Sequence, residues 1–356
     1  MLKQRDYTLV LGAGGLKGLA HIGVLSALEE HDFLPTDVVG CSVGAIVAAA
    51  WCSGISTKHL REIALELKRR DLFRIAHSEM ALKRMKSPSL YRREPLEEFI
   101  HGLLGGITFD ELERPLLVNT VDINAGSQVF WGAPGLTDVP VADAVFASCA
   151  LPGYLPPGEI RGRFFIDGAT VSNLPVRVAA ARKRDLVLAV DVGSTGAVRA
   201  EQQEAGFAAV YARAIEIAIQ TMRTSVLRDW GQPPLVLLEP RVEHIPMFSF
   251  QHNAELLELG YEVASQILTN PDLIPGPDCS GVFPRRRFRV DVDRARCIGC
   301  GGCLVHAPQG MFFIDDEGKA VITEQEQTWS PVDGDFVQHC PTYAIVPRHL
   351  GEASCE

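Results

Sequence analysis

The sequence predicts an α/β fold built on a parallel sheet, joined to a small cysteine-bearing domain. Three observations carry this expectation. Strand, glycine-rich loop and helix occur twice within the first 52 residues, an alternation that buries a parallel sheet between helices. Short apolar runs separated by helical patterns recur as far as residue 239. From Asn270 the texture changes, and four of the five cysteines in the last 60 residues fall at a telling spacing.

Element by element, residues 7–11 (YTLVL) form a short buried strand, and 16–30 a helix after a glycine turn. Residues 35–40 give the second strand, and a helix begins at Ser42. Further strands are expected at 116–119, 128–131, 163–166, 186–191 and 235–239, and helices at 58–68, 176–181, 206–229 and 254–268. The stretch NPDLIPGPDCSGVFP has four prolines and no apolar period, the composition of a linker. The expected division is therefore 1–269, a linker at 270–287, and 288–356, the last small enough that a metal site would help it fold.

Length and composition agree with this division. At about one domain per 150 residues, 356 residues make two. Hydrophobic residues at 47% and charged residues at 22% are ordinary globular usage. Lys plus Arg number 34 against 44 Asp plus Glu, a net −10 that disfavours a nucleic-acid partner bound through a general basic field. No apolar run approaches the roughly 20 residues of a membrane span. Residues 7–11 are too short for a secretory apolar region, so a cytoplasmic protein is expected. Nine cysteines are too sparse for a disulfide scaffold.

Gly40-Cys41-Ser42-Val43-Gly44 is a GxSxG sequence where a predicted strand passes into a helix. A serine on such a turn is held away from the sheet with its hydroxyl exposed, and the helix amino terminus favours developing negative charge. Gly12-Ala13-Gly14-Gly15-Leu16-Lys17-Gly18 is a second backbone-rich loop opening a helix. It is not a phosphate loop, because Lys17 precedes Gly18 and no Ser or Thr follows. Nor does it suit a dinucleotide, because the next strand ends in the serine elbow rather than in an acidic residue. Adjacent loops at one carboxyl edge let the amides of Gly12, Ala13, Gly14 and Gly15 offer Ser42 an oxyanion hole. For a base, His244 and His252 are available in sequence, but Asp167 is better placed: Phe164-Phe165-Ile166 lead as a buried strand into Asp167-Gly168. A carboxylate in an apolar pocket becomes more basic. The competing reading is that Asp167 simply starts a turn.

These blocks in order, together with His21-Ile22-Gly23-Val24-Leu25, Ala147-Ser148-Cys149-Ala150-Leu151-Pro152, Leu155-Pro156-Pro157 and DGATVSNLP at 167–175, make residues 7–268 resemble a patatin-like phospholipase. The resemblance implies a patatin-like parallel-sheet sandwich and hydrolysis of lipid acyl esters by a Ser-Asp dyad without histidine. Ser42 is then the nucleophile, Asp167 the base, and the glycine run the oxyanion hole. Two positions depart from the family: Ala13 replaces a usual glycine and would be strained at positive φ, and Ala169 stands where glycine is common. His21 reads as structural. Lys17 either contacts an anion near the hole or lies over the sheet edge.

Residues 68–93 hold nine Lys or Arg against Asp71 and Glu79, interleaved with Leu72, Phe73, Ile75, Met80, Leu82, Met85 and Leu90. Such a mixture suits a lid touching anionic lipid, with peripheral membrane contact, or a solvated helical face.

Cys297-Ile298-Gly299-Cys300-Gly301-Gly302-Cys303 gives C-x2-C-x2-C, and Cys340-Pro341 follows 37 residues later. Three cysteines so spaced wrap a compact loop around a cuboidal cluster, whereas zinc sites pair two C-x2-C units. With Pro341-Thr342-Tyr343-Ala344-Ile345 the region resembles a bacterial-type ferredoxin, an α+β domain. A second cluster's ligand positions fall on Ala307, Ser330, Asp333 and Phe336, so one 4Fe-4S cluster is expected, held by Cys297, Cys300, Cys303 and Cys340. Its role is open between redox, regulatory and structural, with a redox partner implied by the first. The alternative reading of the whole chain makes the ferredoxin-like domain an electron carrier and the amino-terminal domain a docking or lipid-binding module. Of the remaining cysteines, Cys41, Cys52, Cys149, Cys279 and Cys355, each reads as a small buried residue or an incidental thiol.

Overall fold

The computed structural model describes residues 5–75, 89–193, 207–337 and 339–353. The chain divides into two compact units, Met1–Arg223 with Leu238–Thr269, and Thr224–Leu237 with Asn270–Glu356. The stretch 270–287 carries a helical turn at Pro271–Leu273, a strand at Val282–Phe283 and the start of the strand Arg285–Val292.

The first unit is a mixed sheet with helices packed on it. Its strands are β1 (Tyr7–Leu11), β2 (Asp37–Cys41), β3 (Leu116–Asp122), β4 (Ser127–Trp131), β5 (Gly158–Ile160), β6 (Arg163–Asp167) and β7 (Leu186–Val190), ordered β5-β6-β3-β2-β1-β7 with β4 also on β3. β7, β1, β2 and β3 run parallel and are buried along their whole length, hence their continuous apolar sequences. β4, β5 and β6 pair antiparallel, so the expected parallel sheet carries antiparallel strands on the side beyond β3. Among the described helices of nine or more residues, two lacked a sequence expectation, Glu94–Leu104 and Val141–Cys149.

Register explains how distant residues meet. Cys41 at the end of β2 lies opposite Asn119 of β3, and the next residue of β3, Thr120, lies opposite Asp167 of β6. β6 therefore ends at the level where β2 ends. The strand is less buried than its sequence suggests: Phe164 is 44% exposed, and only Phe165 and Asp167 are buried. At the opposite end of β2 the buried Asp37 is paired with Arg184 at 2.9 Å and Arg182 at 3.3 Å and accepts from the Thr8 hydroxyl at 2.6 Å.

The second unit holds an antiparallel sheet of Glu326–Trp329, Arg285–Val292 and Ile345–Ala353, and a hairpin of Phe312–Ile314 with Ala320–Ile322. Its core gathers Val290, Met311, Phe312, Trp329, Phe336 and Ile345. Phe288 stacks on Trp329 at 4.7 Å, and Trp329 meets Phe336 edge-on at 5.4 Å, the favoured aromatic geometries.

Candidate active site and cysteine centre

Ser42 sits between β2 and helix α2 (Val43–Cys52) at φ 54°, ψ −129°. For a residue other than glycine this conformation costs about 1–3 kcal/mol and needs support from its surroundings. The support is a chain of hydrogen bonds: the Ser42 N–H donates to Ser148 Oγ at 2.9 Å, and that hydroxyl donates to the Asn119 carbonyl at 2.7 Å. Asn119 in turn donates to the Ser172 carbonyl at 2.9 Å. Gly44 lets α2 approach β1, since a Cβ there would lie 2.3 Å from the Leu11 carbonyl oxygen. Ser148 and Asn119 had no expected role. Ser148 lies in one of the blocks singled out in the sequence, but its bond to the elbow depends on a helix packed 106 residues away in sequence.

The Ser42 hydroxyl donates to Asp167 Oδ2 at 2.7 Å, and Asp167 Oδ1 accepts from the Ala169 N–H at 2.8 Å. Asp167 is 2% exposed, and burial pushes its carboxyl up to about 6, against the lowering effect of hydrogen bonds from Ala169, Ser42 and Cys41. Burial likewise raises the thiols of Cys41 and Cys149 well above their usual range, with the Asp167 charge adding to it. Both thiols stay neutral at neutral pH, so neither offers a thiolate there. Neither histidine is paired with Ser42: His244 lines the same cavity but its Nε2 is 2.7 Å from Glu255, and His252 Nδ1 is 2.6 Å from the Ser249 hydroxyl.

The glycine loop divides its amides. The Gly12 N–H donates to Val190 O at 3.0 Å and the Ala13 N–H to Asn173 O at 2.8 Å, so these two of the four expected donors are already engaged. Gly14 and Gly15 line the same cavity as Ser42 and Asp167, and Gly15 has φ +60°, a left-handed conformation suited to glycine. Ala13 does not take positive φ; it packs with Cys41 and Ala169, three small residues in one contact. Both departures from the family pattern are thereby accommodated. His21 is wholly buried, with Nε2 2.8 Å from the Gly12 carbonyl oxygen. Burial lowers its pKa to about 4 despite Gly12 and Asp191, so the imidazole is neutral and braces the loop. Lys17 is buried and lines the cavity.

The cavity holds about 1130 Å³, just above the usual range of ligand pockets. Beside Ser42 and Asp167 its wall is dominated by aliphatic and aromatic side chains such as Leu60, Leu67, Phe99 and Phe248. Leu72, Phe73 and Leu90 of the basic 68–93 segment also line it, rather than facing outward. Met80, Leu82 and Met85 of that segment lie outside the described residues, as do the charges between 76 and 88.

In the second unit the four cysteines share one neighbourhood. Cys297 packs with Ala320 and Ala344, and Cys303 and Cys340 lie against that cluster. Burial raises the Cys303 thiol, and Cys297, Cys300 and Cys340 all add to the rise. The Ala320 N–H points at Cys297 Sγ (3.4 Å) and the Ala344 N–H at Cys340 Sγ (3.2 Å). Burial acts to raise Cys340, but backbone donors from Ala344, Thr342 and Ile345 outweigh it and leave the thiol below its usual value. Amides directed at sulfur are what an iron-sulfur cluster requires of its surroundings, so the donor set fits that group. Among the described residues no group of three or more His, Cys, Asp or Glu could hold a metal ion. A cuboidal cluster spreads its thiolates farther apart than one ion does. Cys279, expected as an incidental thiol, is disulfide-bonded.

A parallel-rich sheet with a strained serine at a strand-to-helix turn makes this an α/β fold with a sharp elbow at Ser42. Residues 9–180 match the family model described as patatin-like phospholipase, and residues 290–346 match the one described as 4Fe-4S single cluster domain. The chain thus joins a patatin-like phospholipase domain to a 4Fe-4S single cluster domain. An uncharacterized NTE family protein of Mycobacterium tuberculosis is 30% identical over 196 residues, 55% of this chain and 51% of that protein. The neuropathy target esterase sws of Drosophila melanogaster is 31% identical over 191 residues, 52% of this chain and 13% of that protein. The chain therefore spans about half the length of the mycobacterial relative and a smaller share of the fly protein. Among solved structures, VipD from Legionella pneumophila aligns with TM-score 0.41 at 15% identity, covering 74% of this chain and 67% of that one. The type III effector protein ExoU aligns with TM-score 0.39 at 19% identity, covering 74% and 53%. Among the described residues no helix is long and apolar enough to cross a membrane.

Proposed function

We propose that this chain hydrolyses lipid acyl esters, of phospholipid or lysophospholipid type, with Ser42 and Asp167 as a dyad. The observation that carries the reading is the 2.7 Å hydrogen bond from Ser42 Oγ to a buried carboxylate at the wall of an apolar cavity. Ser42 Oγ attacks the ester carbonyl while Asp167 Oδ2 takes its proton. The N–H groups of Gly14 and Gly15 receive the oxyanion, and Lys17 is the candidate contact for an anionic group beside them. Asp167 then gives the proton to the leaving alcohol, and water, deprotonated by the same carboxylate, releases the fatty acid and restores Ser42. The acyl chain lies among the aliphatic residues of the cavity.

The reading is tested by release of fatty acid from phospholipid vesicles, with a soluble short-chain ester as a parallel substrate. Because Asp167 must be ionised to accept the proton, kcat/KM for the soluble ester is expected to fall about tenfold per pH unit below a pH near 6 and to level off above it. A flat profile down to pH 4.5 would remove Asp167 as the base.

Cys297, Cys300, Cys303 and Cys340 would hold one 4Fe-4S cluster, which supplies one-electron chemistry or a rigid cross-link to its domain. Phe336 and Ala307, at two of the positions a second cluster would need, pack in or against the apolar core, which supports a single cluster. Anaerobically purified protein is expected to carry about four irons per chain. Cys340→Ala should lose them together with the visible absorbance, and Cys149→Ala should keep both. Iron content unchanged by Cys340→Ala would refute the ligand set. The proposed place of action is the cytoplasm, with peripheral membrane contact.

A further inference from the structure

Helix Phe207–Arg228 carries its polarity inside out. Val210, Ala214, Ile217, Ala218, Thr221 and Met222 follow each other at helical spacing and are all exposed, Val210 at 54% and Ile217 at 52%. None is charged. The charged residues of the same stretch turn the other way: Arg213 pairs with Glu216 at 3.0 Å, and Arg223 is buried between Asp191 and Glu239, the latter at 2.6 Å. Arg213, Ile215, Glu216, Ile219 and Gln220 line the cavity that holds Ser42. A helix facing water normally shows the opposite arrangement.

We propose that this outward stripe is the surface by which the protein docks on a lipid bilayer. The inference rests on the reading of the cavity as an acyl-ester site: one helix diameter, about 10 Å, separates the stripe from the chamber that takes the acyl chain. Size argues against a second copy of the chain as occupant. Twelve residues of helix rise about 18 Å, and a width of about 10 Å gives on the order of 200 Å², against about 800 Å² per partner in a stable protein interface. A bilayer sets no such minimum, because the stripe enters the interface edge-on, in the plane of the surface. With no charge on the stripe, the attraction is apolar and needs no anionic lipid, unlike contact through the basic 68–93 segment.

The test is co-sedimentation of the whole protein with phosphatidylcholine vesicles at about 0.1 and about 0.5 M salt. Wild type is expected to pellet equally at both. Val210→Asp with Ile217→Asp should weaken binding at least about tenfold while hydrolysing a soluble short-chain ester at the wild-type rate. Undiminished pelleting of the double variant, or binding abolished by salt, would overturn the proposal. So would a dimer in sedimentation velocity that the double variant disperses, which assigns the stripe to a second copy. Ile217→Trp preserves the apolar surface and guards against misfolding of the charged variant: its emission should shift to the blue on adding vesicles, and an unshifted spectrum overturns the proposal. Wild type that pellets but hydrolyses no ester would sink the hydrolase reading and leave the docking surface standing.

Discussion

Replacing Ser42 with alanine is expected to lower ester hydrolysis by a factor on the order of 10⁶, the scale on which removal of a serine nucleophile acts in comparable hydrolases. The loss is near-total because nothing nearby can take over. The thiols of Cys41 and Cys149 are held neutral by burial and by the Asp167 charge, so neither inherits the reaction. The variant also leaves the strained turn without its hydroxyl while the Ser148 bond to the backbone N–H remains, so the fold is expected to persist. Fatty-acid release and soluble-ester hydrolysis, measured beside circular dichroism, separate the two effects. Activity within about tenfold of wild type would end the assignment of Ser42.

Asp167→Asn is expected to do two opposite things. Hydrolysis should drop by roughly 10²–10⁴, the usual worth of a general base. Stability should rise at pH 8 by about 3 kcal/mol, from a carboxyl moved from 3.8 to about 6 at ~1.4 kcal/mol per unit. An acid whose folded pKa lies above its unfolded value is least stable when ionised, so the penalty is full above about 6 and absent below 3.8. The gain from asparagine should accordingly fade as the pH falls from 6 and vanish near 4. Urea denaturation at pH 8 and pH 4 checks this, and a variant less stable than wild type at pH 8 would contradict a buried, costly carboxylate.

Much of the site was legible because its chemistry is written locally. A serine between glycines at a strand-to-helix turn, and Asp-Gly after an apolar run, each announce a turn whose side chain is presented at a sheet edge. What local sequence cannot hold is that β6 runs antiparallel to β3 and stops level with β2, which is what brings the two side chains together. The same limit applies to the oxyanion donors. Four consecutive amides look alike in sequence, and only Val190 and Asn173, far along the chain, decide which two are engaged. The helix Val141–Cys149 escaped notice because nearly every residue is buried, leaving no polar face to set a period. Glu94–Leu104 left a better signal: Pro95 in the first turn, then Leu96, Ile100 and Leu104 at spacing of four, with basic residues just before it. In the cysteine domain the spacing alone carries the proposed ligand set, because the wrapping of a cluster is itself a local event.

The contact among Ala13, Cys41 and Ala169 joins the three loops that carry the proposed oxyanion donors, Ser42 and Asp167. A methyl group has no rotamers, and a thiol has only one torsion, so ordering these side chains costs almost no entropy. The distance from hydroxyl to carboxylate is thus gauged by parts that cannot be re-posed, and thermal hopping of side chains elsewhere in the cavity wall has no lever on it. The aliphatic side chains of the chamber can change rotamer while Ser42 and Asp167 keep one spacing.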